Sequence, residues 1–586
     1  MMGSLDGALA AARREVDSVD NRIEVGSWSY DEGISRWCLP FDVTCAPGLM
    51  PSKSSWVLTV EDRYPEGEVR VWPAAEGGIT DTYPHQLNNG LGQHGAFCRS
   101  GRLCLAGENA EAGVPDDADF KAAYFIERAL DWMDCANAGT LMGLGEHLEL
   151  PAFRYASVPD VIYIEDDVTK MMWDSAGDAV SGIARVCAIE NGIAALSGFS
   201  LGEGRHEIEP PWGKLVADGG ASVEAIWVLA GEVPSVKGWQ APNDFSQLRE
   251  YLDRCGIDFD EVVSRFGNGL RDGRRHYFLI GVPIPENVGQ RADHITWFAF
   301  LMPALTRKSD LGNGAKGKPR TLKTVDRVKV FAGNRMVDWA QAHNVAKRQL
   351  HSRGSLCESL AESDVLVIGA GSLGSLICEA LVRGGVSSIA ISDGDVFVPG
   401  NVSRHTLGFE ASGKAKAREL CGRMNSISPN VEAVPLMPVG RADEPSAADF
   451  DLIIDCTGSD EVIDWIGRST PRRGALVGVF SFGIGAKAVY AWMGPASRFT
   501  REAYDARFAD LVGSDMAKSE LLPWEGTGCW SPVFPAQYAD VAHAAAVCVK
   551  ALDAFVASGG GVEVARLFEF LYDETGFPSG MRSVEL

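Results

Sequence analysis

After residue 360 the chain alternates short apolar runs with stretches whose apolar positions return every three or four residues. VLVIGAG (365–371), SIAISD (388–393) and DLIIDCTG (451–458) are the runs; LGSLICEALVRGG (373–385) and KAKARELCGRMN (414–425) are the amphipathic stretches between them. Strand and helix alternating at this spacing predict βαβ units, and so a parallel sheet covered on both faces: a doubly wound α/β domain. Upstream the pattern is mixed. DFKAAYFIERALDWMDCA reads as a helix over Asp119–Ala136, VIYIED as a strand over Val161–Asp166, and YFLIGVPI and ITWFAFLMP as further apolar segments parted by a polar loop. Gly, Pro and Lys crowd RKSDLGNGAKGKPRTLK (307–323) without hydrophobic periodicity, which predicts an exposed, mobile loop. These breaks divide the chain into 1–155, 156–340 and 341–586, with no internal repeat.

Composition narrows the class. A chain of 586 residues, 46% apolar and 23% charged, has material for three or four packed cores and little reason for extended disorder. Its 54 Lys and Arg stand against 79 Asp and Glu, a formal charge of -25 that repels nucleic acid and anionic lipid at long range. Neither a nucleic acid nor a membrane is expected as partner. MMGSLDGALAAARREVD does not read as a secretory signal, and nowhere do 18 apolar residues run together. The 13 cysteines are odd in number and contain no CxxC pair, which fits neither a disulfide framework nor a structural zinc site. A reducing cytoplasm is the expected compartment.

The first chemical signal is Gly369-Ala370-Gly371-Ser372-Leu373-Gly374, a GxGxxG turn between a strand and a helix. Glycines let the backbone turn sharply and approach a phosphate, and a helix amino end supplies unpaired N–H groups and partial positive charge. Taken alone, the motif fits either a nucleotide or a tight turn. Asp393 ends the next strand, where a carboxylate can accept hydrogen bonds from ribose hydroxyls. The continuation Asp393-Gly394-Asp395 through Asn401 to Arg404-His405, then Gly413-Lys414-Ala415-Lys416, favours ATP over NAD. Adenylyl transfer must neutralise triphosphate and pyrophosphate charge, which hydride transfer to a nicotinamide does not require.

Residues 349–460 resemble the adenylation domain of ubiquitin-activating enzymes and of the bacterial ThiF and MoeB proteins, whose pattern runs GxGGLG, DxD, NLxRQ, GxxK, DCTDN. The resemblance implies ATP and Mg as cofactors, with Gly369, Gly371, Gly374, Asp393, Asp395, Asn401, Arg404 and Lys416 around the nucleotide. Asp393 would hold ribose, Asn401 and Arg404 the phosphates, and Lys416 the transferring α-phosphate. Lys414 is an alternative to Lys416, and Arg348 matches the family's upstream phosphate-binding arginine. Three departures stand out: His405 replaces the family's Gln, Gly458 replaces its magnesium-binding aspartate, leaving Asp460 or Asp455 for the metal, and the zinc-binding CxxC pairs are missing.

An acyl adenylate is open to attack by a thiolate, giving a thioester that keeps much of the activation. Two cysteines follow the adenylation motifs. Cys548 lies in the apolar stretch AHAAAVCVKALDAF and reads as packing, whereas Cys529 lies in EGTGCWSPVFPAQYAD, a Gly- and Pro-punctuated loop, and is favoured as nucleophile, with Asp540 structural or positioning. Near the amino end, Gly101-Arg102-Leu103-Cys104-Leu105, preceded by Tyr83-Pro84-His85 and followed by the 119–136 helix, resembles the GxICL active-site segment of ubiquitin-conjugating enzymes. By that resemblance residues 1–155 form an α+β, E2-like domain and Cys104 receives the acyl group by thiol exchange. Cys98 is the rival; Arg99 and Arg102 are candidates to lower the thiol pKa, and His85, Asn88 and Asn89 to assist or simply to turn the chain.

The order conjugating-type domain, α/β middle domain, ThiF-type adenylation domain resembles the fused activating and conjugating enzymes of bacterial anti-phage CBASS operons. That resemblance implies adenylation of the carboxyl terminus of a cGAS-like nucleotidyltransferase, thioesters on Cys529 and then Cys104, and ligation to a target lysine, by a homodimer. Activation of a ubiquitin-like or sulfur-carrier protein is the alternative within enzymes, and a nucleotide-binding scaffold the alternative outside them.

Overall fold

The computed structural model describes the chain apart from residues 1–4, 91–96, 106–112, 178–179, 190–191, 202–205, 237, 293, 312–318, 442, 520–523, 526–530 and 533–535. Two compact units result: Met1–Val186 with Asn191–Glu209 and Ser222–His343, and Asn344–Leu586 with Cys187–Glu190 and Pro210–Ala221.

The first unit opens with an antiparallel sheet in which Arg36–Thr44 pairs with Ile23–Val25, Ser29–Asp31 and Lys53–Val60, and Lys53–Val60 pairs with Val69–Pro73. The helix Phe120–Ala138 covers one face. It buries Ala122, Ala123, Ile126, Ala129, Leu130, Trp132, Met133 and Ala136, a stripe at spacings of three and four, against Leu39, Phe41, Trp56, Leu58 and Val71. Gly139, at φ 72°, ends the helix in the left-handed conformation, its N–H and that of Thr140 closing the last carbonyls.

The rest of this unit is a nine-stranded mixed sheet with cores on both faces. The helices Phe245–Arg254 and Phe259–Phe266 pack on one face. The two apolar segments form the paired strands Tyr277–Ile284 and His294–Leu301. VIYIED stops early: the strand is Val161–Tyr163, and Asp166 caps the helix Asp167–Ser175 by accepting the N–H groups of Val168 and Thr169. A capping acid two or three residues before its amides overrides strand propensity. Residues 307–323 also depart from the expected loop, because Pro319–Val325 is a helix, begun by a proline that needs no N–H partner and anchored by buried Leu322.

On the opposite face, Glu165 is buried among tryptophans. Its Oε1 accepts the indole N–H groups of Trp173 (2.9 Å) and Trp297 (2.8 Å), and its Oε2 the hydroxyl of Thr169 (2.8 Å). Burial nonetheless pushes its carboxyl up to about 7.

In the second unit the strands lie in the order Glu432–Leu436, Ser388–Ser392, Asp364–Ile368, Leu452–Asp455, Leu476–Phe482, all parallel, then antiparallel Ala488–Pro495, Val564–Tyr572 and Pro578–Glu585. One core packs the helices Ser372–Arg383, Lys416–Ile427 and Tyr538–Ala557 on the sheet, and a second packs Asp460–Arg468 on the other face. This is the doubly wound arrangement that the alternation predicts. The order in which strands are added reverses between the parallel neighbours Asp364–Ile368 and Leu452–Asp455, and ligands in such sheets bind outside the carboxyl ends of the strands at that point.

Candidate functional site

At the reversal the strand Asp364–Ile368 turns at Gly369, φ 94°, into the helix Ser372–Arg383. A Cβ on Gly374 would sit 1.9 Å from the Gly369 carbonyl oxygen, so only glycine lets the helix start this close to the strand, whereas a Cβ on Gly371 would meet nothing within 4 Å. Gly371 therefore faces open space at the helix amino end, where an anion can approach the backbone. Asp393 braces the turn: its Oδ2 accepts the Ala370 N–H at 2.6 Å and its Oδ1 the Asp395 N–H at 2.7 Å.

Lys416 opens the helix Lys416–Ile427, 9% exposed, with its Nζ 2.8 Å from Asp395 Oδ2. Lys414 instead is solvent-facing and paired with Glu419. Asn401 caps its own turn, its Oδ1 accepting the Val398 N–H at 3.0 Å. Arg404, with Ser372, Leu373, Cys456, Thr457, Gly458, Ser481, Phe482 and Val541, lines a cleft of about 330 Å³. Arg348 is exposed on the short helix Lys347–Leu350.

Neither acid considered for magnesium offers the cleft an oxygen. Asp455 is fully buried; its Oδ1 accepts the N–H and hydroxyl of Thr457 at 2.8 and 2.6 Å, its Oδ2 is sealed from solvent without a partner, and burial pushes the carboxyl up to about 6. Asp460 points to solvent and is bound by Arg501 at 2.8 Å. Gly458 stands in the wall instead, and no three acidic, His or Cys side chains converge among the described residues. The described residues do not build a magnesium site.

Of the two downstream cysteines, Cys548 is fully buried, its thiol raised by desolvation, and Cys529 lies outside the described residues. Asp540 has a local task, accepting the Gln537 N–H at 2.9 Å at the start of Tyr538–Ala557.

In the first unit, Cys104 is exposed between buried Leu103 and Leu105. A backbone ribbon presents it: the Leu103 N–H donates to Val71 O, the Cys104 N–H to His85 O at 2.8 Å, and the Leu87 N–H to Arg102 O. Buried Gln86 ties the ribbon together, donating to Gly101 O and accepting the Tyr83 N–H. Trp132 of the covering helix donates to Pro84 O.

His85 sits at φ 58°, rare for a residue with a side chain, and Glu149 Oε2 holds it by its N–H at 2.6 Å and its Nδ1 at 3.1 Å. Burial pushes the Cys104 thiol up, Arg102 pulls it down, and Glu149 pushes it up. The rival Cys98 is buried beside Cys38 and Val57, its thiol raised by burial. Arg99 and Asn89 are spent on each other: Arg99 Nε donates to Asn89 Oδ1 at 2.9 Å, and Asn89 Nδ2 to Ile79 O and Asp81 O. Asn88 gives its carbonyl to the Ser100 hydroxyl. Glu149 and Gln86 were not legible as site residues, because neither lies in a motif. His85 and Glu149 meet only through the chain's return after the helix.

Residues 139–345 match the Cap2 central linker domain, and residues 343–470 match the ThiF family. A protein of Enterobacter hormaechei subsp. hoffmannii described as "ATP-dependent ubiquitin transferase-like protein Cap2" is 28% identical over 91% of this chain and 91% of its own length. A protein of the same description from Pseudomonas aeruginosa is 26% identical over 22% of this chain and 24% of its own. The molybdopterin-synthase adenylyltransferase of Escherichia coli is 31% identical over 17% of this chain and 41% of its own. The chain thus carries a ThiF-type segment behind a Cap2-type linker segment, and is similar along nearly its whole length to a ubiquitin transferase-like protein.

Proposed function

We propose that the chain uses ATP to activate the carboxyl terminus of a protein and passes the acyl group over sulfur to an amine. The carboxylate oxygen attacks the α-phosphorus and pyrophosphate leaves; a thiolate, Cys529, attacks the acyl carbon and AMP leaves; Cys104 takes the acyl group by exchange; a lysine amine then forms the isopeptide bond and frees Cys104. Gly371 and its neighbours cradle phosphate, Asp393 receives ribose, and Arg404 and Lys416 offset charge on the α-phosphate and the departing pyrophosphate. No protein ligand is assigned to magnesium. The carboxyl substrate is the tail of a cGAS-like nucleotidyltransferase of an antiviral operon, residues 1–155 act as the E2-like conjugating domain, and the enzyme is a homodimer.

One observation carries the adenylation reading: the glycine turn at the point where strand order reverses opens beside a cleft walled by Arg404, with Lys416 nearly buried at the amino end of the helix Lys416–Ile427. The exposure of Cys104, against the burial of Cys98, supports the transfer step. The test is pyrophosphate exchange that depends on a protein carboxyl terminus, followed by non-reducing electrophoresis. Cys529→Ala should exchange pyrophosphate and form no thioester, and Cys104→Ala should form one thioester and no conjugate. Conjugation by Cys104→Ala would remove the amino-terminal region from the reaction.

A further inference from the structure

Ala370, at the bend of the glycine turn, is held from both sides. Its N–H donates to Asp393 Oδ2, and its carbonyl lies 2.8 Å from Nε2 of His405. Nδ1 of the same ring accepts the Leu407 N–H at 3.0 Å. A carbonyl can only accept and that Nδ1 can only be a lone pair, so the ring is neutral with its proton on Nε2. It is 5% exposed and stands edge-on to Phe397, the ring centres 5.1 Å apart.

In a trans peptide the C=O and the next N–H point in opposite directions. With the Ala370 carbonyl turned to His405, the Gly371 N–H is aimed to the other side, at the helix amino end where a Cβ on Gly371 would meet nothing within 4 Å. We propose that His405 is a positioning residue: its neutral ring, donating to Ala370 and accepting from Leu407, turns the Gly371 amide toward a nucleotide phosphate, and protonation of the ring releases the turn and weakens nucleotide binding in acid. This rests on the nucleotide reading of the cleft.

Protonation removes the Nδ1 acceptor and adds a positive charge among others. Lys416 and Arg423 face the ring from the helix Lys416–Ile427, Arg423 itself held by Glu379 of the helix Ser372–Arg383; Asp393 faces it from the end of its strand, and Arg404 precedes it in the chain. Burial first, then Lys416 and Arg423, hold the imidazole below its usual range, against the opposite pull of the Ala370 carbonyl and Asp393. A glutamine can make the same two hydrogen bonds without a titratable group.

The test uses the full chain as wild type, His405→Gln and His405→Ala. ATP is titrated calorimetrically at pH 7.5 and 5.5, and hydrogen exchange of residues 366–376 and 403–409 is read without nucleotide. From pH 7.5 to 5.5 the wild type should lose about fivefold in affinity relative to His405→Gln, a ratio that cancels the titration of ATP itself; His405→Ala should be weaker by about fivefold at pH 7.5, the worth of one hydrogen bond. In His405→Ala both segments should exchange faster, and in His405→Gln at the wild-type rate. Wild type and His405→Gln tracking each other at both pH values, or unchanged exchange in His405→Ala, would overturn the proposal. If no variant binds ATP while His405→Ala still loosens both segments, the nucleotide reading fails and the hold on Ala370 stands; if all three bind ATP alike, the nucleotide reading stands and the positioning role of His405 fails.

Discussion

Lys416 Nζ lies 2.8 Å from Asp395 Oδ2, a nearly buried cation held by a carboxylate whose side chain is 74% exposed. The pairing is lopsided: the lysine is fixed at the foot of its helix, and the aspartate can swing into water. On the proposed adenylation reading, a phosphate reaching Lys416 would compete for the ammonium with a partner that is easily resolvated.

Replacing Lys416 by Gln should therefore lower pyrophosphate exchange by about a hundredfold or more, the usual cost of losing a charge aimed at a reacting phosphate. Lys414→Gln, which breaks only an exposed pair with Glu419, should change exchange by less than about twofold. Equal losses in the two variants would move the catalytic charge away from Lys416.

Cys98 and Cys104 stand six positions apart and separate by burial. Cys98→Ala should cost about 1 kcal/mol of stability and keep conjugation, because it removes a packed sulfur. Cys104→Ala should shift stability by less than about 0.5 kcal/mol and abolish conjugation. Thermal unfolding and a conjugation assay on the same samples read both, and conjugation lost with Cys98 alone would exchange the roles.

Reactivity of Cys104 reports on its neighbours. Glu149→Gln removes a charge that raises the thiol pKa, so the pH profile of iodoacetamide labelling at Cys104 should move to lower pH; Arg102→Gln removes a charge that lowers it and should move the profile to higher pH. Peptide mass spectrometry follows the site. Shifts of the same sign in both variants would mean that geometry, not charge, governs this thiol.

Glu165 sets a pH signature on the first unit. Its carboxyl binds a proton more tightly folded, at about 7, than unfolded, near 4.5, so the native state holds more protons between those values. Stability should then fall as pH rises from about 4.5 to about 7, by at most about 3 kcal/mol, and level off above. Glu165→Gln should lack this term, gaining on the wild type steadily from pH 5 to 7.5 in calorimetric unfolding. A difference between the two that does not change with pH would show that the Trp173, Trp297 and Thr169 hydrogen bonds already offset the burial.

Much of the second unit was legible along the chain. Strands and helices there are set by local period, and Asp364–Ile368, Ser372–Arg383, Ser388–Ser392, Lys416–Ile427 and Leu452–Asp455 fall where the apolar pattern places them. The glycine turn was equally plain, because Gly369 needs a positive φ and Gly374 a missing Cβ, and both needs act within six residues. Less was legible where burial decides. The pattern could rank Cys104 against Cys98, or Lys416 against Lys414, only by motif; the packed structure separates each pair by which side chain the neighbouring elements enclose. Glu149 beside His85, and His405 beneath Ala370, are contacts between residues 64 and 35 positions apart, and no local period encodes them. The sequence by itself determined the order of elements, the turn and the list of reactive side chains, because these follow from short-range sterics and hydrophobic spacing. Which of those side chains are exposed, charged and aimed at one another was decided only by tertiary structure, since desolvation and hydrogen-bond geometry depend on what the rest of the chain brings alongside.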